Sequence, residues 1–553
     1  MFFKKTEAKL FLTFLIVYLF FIQWYGWNEQ SHFSLTRAIV EEKKFEIDSF
    51  YNQTGDRSYY NNHYYSDKTP GLSFFTLPIY EGWRFIYYNL FPRNFIQKYS
   101  GDNKFVSQSQ EDVTIVSYVN LGFFIFNSMI LVTVFTSSLF AALTALLIYK
   151  ISGYFTTNEK YRILLTIAYA FGTLAFINAL HLMSHTLGTF FAFLSFFLLF
   201  KSKKEMQKNK LFILAGIAIG FAIVIEYSVI LIAIMLLIYA FIIDRRKFII
   251  FLFMLFIGIA PLLLYNYLIF GNPFDLASSH IDRQTYNTAY PETGLFFNSE
   301  NTQLQEDFIE FSFFSPIDNL LKHFHLIPNI NPYVILRLFL YPYRGLLFYS
   351  PLLILSFIGM IFMFKEYKTE VILILSIISL FLCFLSMRSN WWGGYSFGNR
   401  HLLPIVPFLM LPIIFMFKKI SFKLVLLLIV FSIFINSLGL QPAEDMMYDW
   451  NLMETKSEYS GKINSFQLIL NPLLNYYLPS FLSHGPRSWI FENLVNGQIS
   501  IDIRVNPISK GSNFPFSKFY IPFLCLIPIF LMIIIIWKTE ISHKVKNYEH
   551  FNK

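Results

Sequence analysis

The chain reads as an all-α polytopic membrane protein with about twelve transmembrane helices (range 11–14), and three observations lead there. Apolar runs of about 20 residues recur along the sequence, the length a helix needs to cross a hydrocarbon core. Only 14% of the 553 residues are charged, where a soluble protein carries about 25%; the mean hydropathy is +0.48. Lysines and arginines gather in short loops between the runs, as expected when basic loops are kept in the cytoplasm.

The predicted spans are 10–27, 128–149, 161–180, 184–201, 210–226, 227–243, 248–268, 345–364, 369–387, 401–417, 423–440 and 518–537. The first follows Lys4 and Lys5 and lacks a small-residue cleavage site, so it is expected to stay as an anchor. With the N-terminus in the cytoplasm, every loop placed inside is short and basic: Lys150/Lys160/Arg162, Lys201/Lys203/Lys204/Lys208/Lys210, Arg245/Arg246/Lys247, Lys365/Lys368 and Lys418/Lys419/Lys423. Lys538, Lys544 and Lys546 place the C-terminus there too. The outer segments 28–112, 271–344 and 441–517 are long, aromatic and mixed in charge, and a short one covers 388–400. The work is therefore expected on the outer face of the cytoplasmic membrane. Residues 71–91 carry Glu81, Arg84 and Pro78 and are expected to lie along the interface rather than span. The +9 charge follows from this topology and calls for no nucleic acid partner. Cys383 and Cys525 both sit inside apolar runs and suggest neither a disulfide nor a cysteine metal site.

Chemistry-bearing residues concentrate in three places. Glu29 and His32 follow the first span and share a face if that helix continues one turn. Asp67 and Lys68 come just before Thr69-Pro70-Gly71, after Tyr64 and Tyr65, whereas Asp48 and Asp56 read equally well as solvated loop charges. A carboxylate can take a hydroxyl proton, and an adjacent ammonium can hold a phosphate oxygen. Further on, His185 opens a span and Glu226 ends one in an apolar setting, where an ionisable side chain is a functional candidate. The short segment Asn390-Trp391-Trp392-Gly393-Gly394-Tyr395-Ser396-Phe397-Gly398-Asn399-Arg400-His401 combines glycines, ring faces and an arginine. Such a loop lets backbone approach a ligand, and Arg400 can clamp a phosphate. Arg344, in Tyr343-Arg344-Gly345, offers a second guanidinium at similar depth. No P-loop, dinucleotide fingerprint or His-Glu-x-x-His appears.

These residues resemble the C-type (GT-C) membrane glycosyltransferases, nearest to the protein O-mannosyltransferase and lipid A aminoarabinose transferase group. Asn28, Glu29 and His32 stand where that group has Asp-Glu-x-x-Tyr, and Tyr64 to Pro70 is similar to its Tyr-Phe-x-Lys-Pro-Pro element. Trp392 to Pro404 and Arg344 to Pro351 are similar to elements of bacterial and archaeal relatives. Asn28 replaces the first acid and Thr69 the first proline. The resemblance covers roughly 8–440 and implies a GT-C-like catalytic region over 1–440; the 441–517 outer loop of unknown role and the last span with basic tail over 518–553 lie outside it and rest on hydropathy and charge alone. It implies inverting transfer of a sugar from a polyprenyl-phosphate donor in membrane lipid to an acceptor hydroxyl on protein, glycan or lipid. Asp67 or Glu29 would be the base, and Lys68, Arg400 and Arg344 would hold donor phosphate. His32, Tyr65, His185, Glu226, Trp391, Trp392, Tyr395 and His401 would line the substrate. Some relatives use a divalent cation, for which Asp67, Glu29 and His32 are the candidates here. The rival classes are a lipid-linked sugar transporter, which places its site near the bilayer midplane, and a non-catalytic cell-envelope assembly protein.

Overall fold

The computed structural model describes residues 4–23, 26–92, 105–108, 116–119, 123–205, 208–282, 330–388, 391–394, 396–440, 471–488, 531–534 and 536–537. Tyr395, most of 441–517 and most of the last predicted span and tail lie outside them.

The described chain is mostly helix. Among its residues, Phe124–Ser152, Ser184–Lys204, Arg245–Phe270, Lys368–Ser386 and Arg400–Lys418 are long and apolar enough to cross a membrane. Asn209–Ile225, Tyr227–Ile243, Pro351–Met363 and Phe422–Ser437 are shorter apolar helices. The twelve full-length spans expected from hydropathy are thus not all present as such, because several runs are interrupted. The predicted 10–27 span is two helices, Lys5–Phe20 and Trp27–Arg37. Between them Gln23 is drawn away, its N–H donating to the Leu180 carbonyl and its Nε2 to that of Gly439. The 161–180 run stops at Gly172, where Thr173 turns extended and its hydroxyl oxygen accepts from the Ala175 N–H. Pro351 divides 345–364, since it has no N–H to continue the ladder. The 401–417 run begins as a tighter turn, Arg400–Ile405, before Val406–Ile413.

Two further features position the site. The strands Arg57–Tyr60 and His63–Ser66 form an antiparallel hairpin with Arg57 opposite Ser66. Its tip, Asn61 and Asn62, has φ +47° and +64°, the left-handed pair that tight hairpin turns need and asparagine tolerates. The hairpin leads through Pro70 into the helix Gly71–Leu90. That helix buries Leu72, Ser73, Thr76, Tyr80 and Tyr87 and exposes Phe85, Ile86, Tyr88 and Leu90. An apolar face left open in this way suits a helix lying in a membrane interface.

The bundle is tied differently at its two ends. At one, Lys203 meets the buried Glu370 at 2.7 Å, Tyr239 donates to the same oxygen at 2.7 Å, and Lys150 pairs with Glu7 at 2.9 Å. The opposite end gathers the Trp27–Arg37 helix, the hairpin's exit, the start of Ser184–Lys204, the end of Asn209–Ile225 and Arg400.

Candidate functional site

Hairpin register creates the first half of the site. Because Arg57 faces Ser66, the residues just beyond that pair, Asp56 and Asp67, come together. Lys68 bridges them, its Nζ 2.9 Å from Asp56 Oδ2 and 3.0 Å from Asp67 Oδ2. Ser31, on the Trp27–Arg37 helix, donates to Asp67 Oδ1 at 3.3 Å and shares a 2.8 Å hydrogen bond with the Ser66 hydroxyl. The following Thr69 hydroxyl donates to the Ile225 carbonyl, which moors this loop to the helix end beside Glu226.

The electrostatics of this trio follow from partial burial. Burial raises the Asp67 carboxyl, the adjoining Lys68 charge pulls it back and the Asp56 charge lifts it again, to about 6. It is therefore mostly ionised at neutral pH yet able to hold a proton. Burial works against the Lys68 ammonium, but the two carboxylates outweigh it and keep Lys68 above its ordinary range.

Glu226 and His185 form the second half. Glu226 ends the Asn209–Ile225 helix in extended conformation, which turns its side chain toward the start of Ser184–Lys204. Ser184 donates to its Oε2 at 2.8 Å and Ser228 to its Oε1 at 3.1 Å. His185 Nδ1 lies 3.0 Å from the same Oε2, too oblique for a straight hydrogen bond. Gly188 makes room for this carboxylate, since a Cβ there would sit 3.0 Å from that of Glu226. His185 meets His401 edge to face, ring centres 5.1 Å apart.

The groups between these halves have few partners of their own. His32 is 1% exposed, His401 6% and Arg400 8%. Among the described residues, neither ring nitrogen of either histidine, nor Nε of Arg400, has a hydrogen-bond partner. His32 lies within electrostatic reach of Lys68, Glu226, His185 and Arg400, and His401 of Arg388, His185, Arg400 and Lys68. Burial first, and Lys68 second, push the His32 imidazole down to about 3, so it stands neutral with one N–H to offer. Buried polar groups are ordinarily paired. A convergence of unpaired ones, flanked by ionised groups, has hydrogen-bonding capacity that a polar ligand could use. A neutral His32 imidazole with an N–H to offer, beside a guanidinium and an ammonium, suits an anion.

The expected residues do not all meet here. Glu29 does share a helix face with His32, but on a new helix rather than a continuation of the first. Its Oε2 accepts from the Gly26 N–H at 3.0 Å, closing the helix start, and its Oε1 lies 3.6 Å from His181 Nδ1. Arg344 Nη1 donates to the carbonyls of Ser396 and Gly398 and to the Ser396 hydroxyl, and its guanidinium stacks on Trp392 at 5.4 Å. It holds the glycine-rich loop. Trp391 offers its carbonyl to Asn399 and its ring edge to Tyr343. Tyr65 is buried against Phe270, with Glu46 as its hydroxyl's partner. Arg388, His181 and the serines 31 and 228 are participants that sequence reading missed, and Asp56, weighed there as a solvated loop charge, is another. For Asp56 a signal was present, since Asn61-Asn62 between two tyrosine-rich runs marks a hairpin and sets its register.

Among the described residues, no group of three or more His, Cys, Asp or Glu side chains is placed to hold a metal ion. The Asp67, Glu29 and His32 set does not form one, because Glu29 turns to its helix start.

No family model and no curated protein matches the chain. It is similar to two solved structures of an oligosaccharyltransferase from Archaeoglobus fulgidus, one in complex with zinc and sulfate and one in the apo form. The first is 12% identical with a TM-score of 0.41 and covers 92% of this chain and 58% of that one. The second is 11% identical with a TM-score of 0.40 and covers 93% and 61%. The chain thus spans about three fifths of the length of these structures.

Proposed function

We propose that this chain is an integral-membrane glycosyltransferase, moving a hexose or pentose from a polyprenyl-phosphate donor to an acceptor hydroxyl at the outer face of the cytoplasmic membrane, with inversion. The observation that carries the reading is the meeting of the Asp67–Lys68 ion pair with Arg400 and with His32 and His401, whose ring nitrogens have no hydrogen-bond partner among the described residues, at one end of a bundle of apolar helices. The donor's lipid tail lies among the helices and leaves its phosphosugar at that end. Asp67 takes the acceptor's proton as the oxygen attacks C1. Lys68 and Arg400 offset the charge that builds on the departing phosphate, a role that strengthens in the transition state. His32 and His401 donate N–H groups to the same anion, and Trp391 and Trp392 lie on the loop beside it. The catalytic region is 1–440, with both termini in the cytoplasm, and the acceptor is left to experiment.

The test is release of polyprenyl phosphate from a panel of polyprenyl-phosphate sugars by the purified protein, with crude cell-envelope material as acceptor. Release by wild type, lost in Asp67→Asn protein that still binds donor, supports the reading. Movement of intact donor across vesicles with no bond broken makes the chain a transporter instead. Donor binding without either outcome leaves an accessory protein.

A further inference from the structure

Resting on the transferase reading, we infer that His185, oriented by Glu226, is a second proton-handling group of the site, serving the departing phosphate while Asp67 serves the acceptor. The geometry is that of a backed histidine. Both Glu226 oxygens are fixed, one by Ser228 and the other by Ser184, and the second faces His185 Nδ1 at 3.0 Å. A carboxylate beside one ring nitrogen, even at an oblique angle, orients the ring by its charge and leaves Nε2 as the working atom. The ring stands against His401, whose nitrogens are unpaired and which adjoins Arg400. His185 therefore borders the cationic side of the site, whereas Asp67 is held by Lys68 and Ser31 on the hairpin side. Two separately held groups suit a displacement in which one oxygen loses a proton and another gains charge.

The step balances as follows. The acceptor oxygen bonds to C1 and gives its proton to the Asp67 carboxylate. The C1–O bond to phosphate breaks, and its electron pair goes to the phosphate oxygen. Protonated His185 passes its Nε2 proton to that oxygen, so phosphate leaves as the monoanion. Asp67 then releases its proton and His185 regains one through water. Glu226 at the helix junction, His401 and His32 are within electrostatic reach of His185, and Arg400, Arg388 and Lys68 are within reach of groups in that set. The requirement for protonated His185 therefore appears as an alkaline limb in kcat.

The experiment is the pH dependence of polyprenyl phosphate release at saturating donor for wild type, His185→Asn and Glu226→Gln, with thermal melting to check folding. The expected result is a bell for wild type. In His185→Asn, kcat falls about 10²–10⁴-fold, the usual contribution of a positioned acid or base. The alkaline limb disappears, the acid limb remains and donor KM changes little. Glu226→Gln keeps the shape of the site and lowers the alkaline limb. An alkaline limb unchanged in His185→Asn, or a loss confined to KM, overturns the inference and leaves the transferase reading intact. If His185→Asn does not fold, an unmoved limb in Glu226→Gln overturns it equally. No turnover by wild type with any donor overturns both.

Discussion

At the scale of single residues, the site separates groups that sequence had made equivalent. Glu29 and Asp67 were both candidate bases, but Glu29 closes a helix start and Asp67 does not. A glutamine at 29 can still accept from the Gly26 N–H. Glu29→Gln is therefore expected to keep most of the sugar-release rate, while Asp67→Asn loses about 10²–10⁴-fold. A larger loss in Glu29→Gln, measured as kcat/KM on folded protein, would move the base to the other carboxylate. The pH dependence has a definite sign. Asp67 acts ionised and its carboxyl is lifted to about 6, so kcat/KM falls as pH drops through about 6. Asp56 is one of the charges doing the lifting. Asp56→Asn should move that limb to lower pH, and a shift upward would contradict the assignment. The two arginines also divide. Arg344 is committed to loop carbonyls, and replacing it by Met strands those acceptors in a buried place, so the melting temperature should fall. Among the described residues, Arg400 Nε has no hydrogen-bond partner and its Nη1 reaches the Met183 sulfur at 3.8 Å. Arg400→Met should abolish release while leaving the melting temperature unchanged or higher, since it removes a poorly paired buried cation. Equal melting losses in both variants would show Arg400 to be structural.

At the scale of elements, apolar runs located the helices well, because membrane-length hydrophobicity is a property of composition. Their interruptions were not legible from hydropathy. The break after Phe20 depends on Gln23 reaching Gly439, and the break at Thr173 on a local hydroxyl contact. Neither leaves a mark on hydropathy. Pro351 and the Asn61-Asn62 turn did carry readable signals. The same contrast governs packing. Asn209–Ile225 crosses Arg245–Phe270 with backbone almost in contact: a Cβ at Gly220 would lie 2.3 Å from the Leu255 carbonyl, and one at Gly258 2.7 Å from that of Ile217. Small residues at such a crossing let two membrane helices approach closely. Gly220→Leu must push the helices apart and carry Glu226 with them. It is expected to lower the melting temperature and to depress release together. Gly82, by contrast, has nothing within 4 Å of its would-be Cβ. Gly82→Ala should be silent, or more stable by up to about 1 kcal/mol through helix propensity. A silent Gly220→Leu would mean the crossing is looser than this.

At the scale of the whole molecule, the chain is polarised. One end is tied by lysines to single buried acids, as in Lys203–Glu370 and Lys150–Glu7. The other holds the hairpin, the paired carboxylates and the unpaired histidines. That separation gives the basic loops and the candidate site opposite faces if the helices cross a bilayer, and the proposed orientation, argued from the bias of Lys and Arg, has the basic loops inside. The consequence is measurable without any substrate. With Cys383 and Cys525 replaced by serine, a single cysteine is introduced either at Asn52, exposed beside the hairpin, or at Lys160, exposed at the basic end. A membrane-impermeant maleimide should label Asn52→Cys in intact cells and Lys160→Cys only after permeabilisation. The opposite pattern would place the carboxylates in the cytoplasm, where a sugar nucleotide is the more available donor chemistry, and the lipid-linked donor would lose its rationale. Labelling of both positions from one side would break the two-ended arrangement itself. The expected pattern, joined to loss of release in Asp67→Asn, ties the chemistry to the face on which a lipid-phosphate sugar must be used.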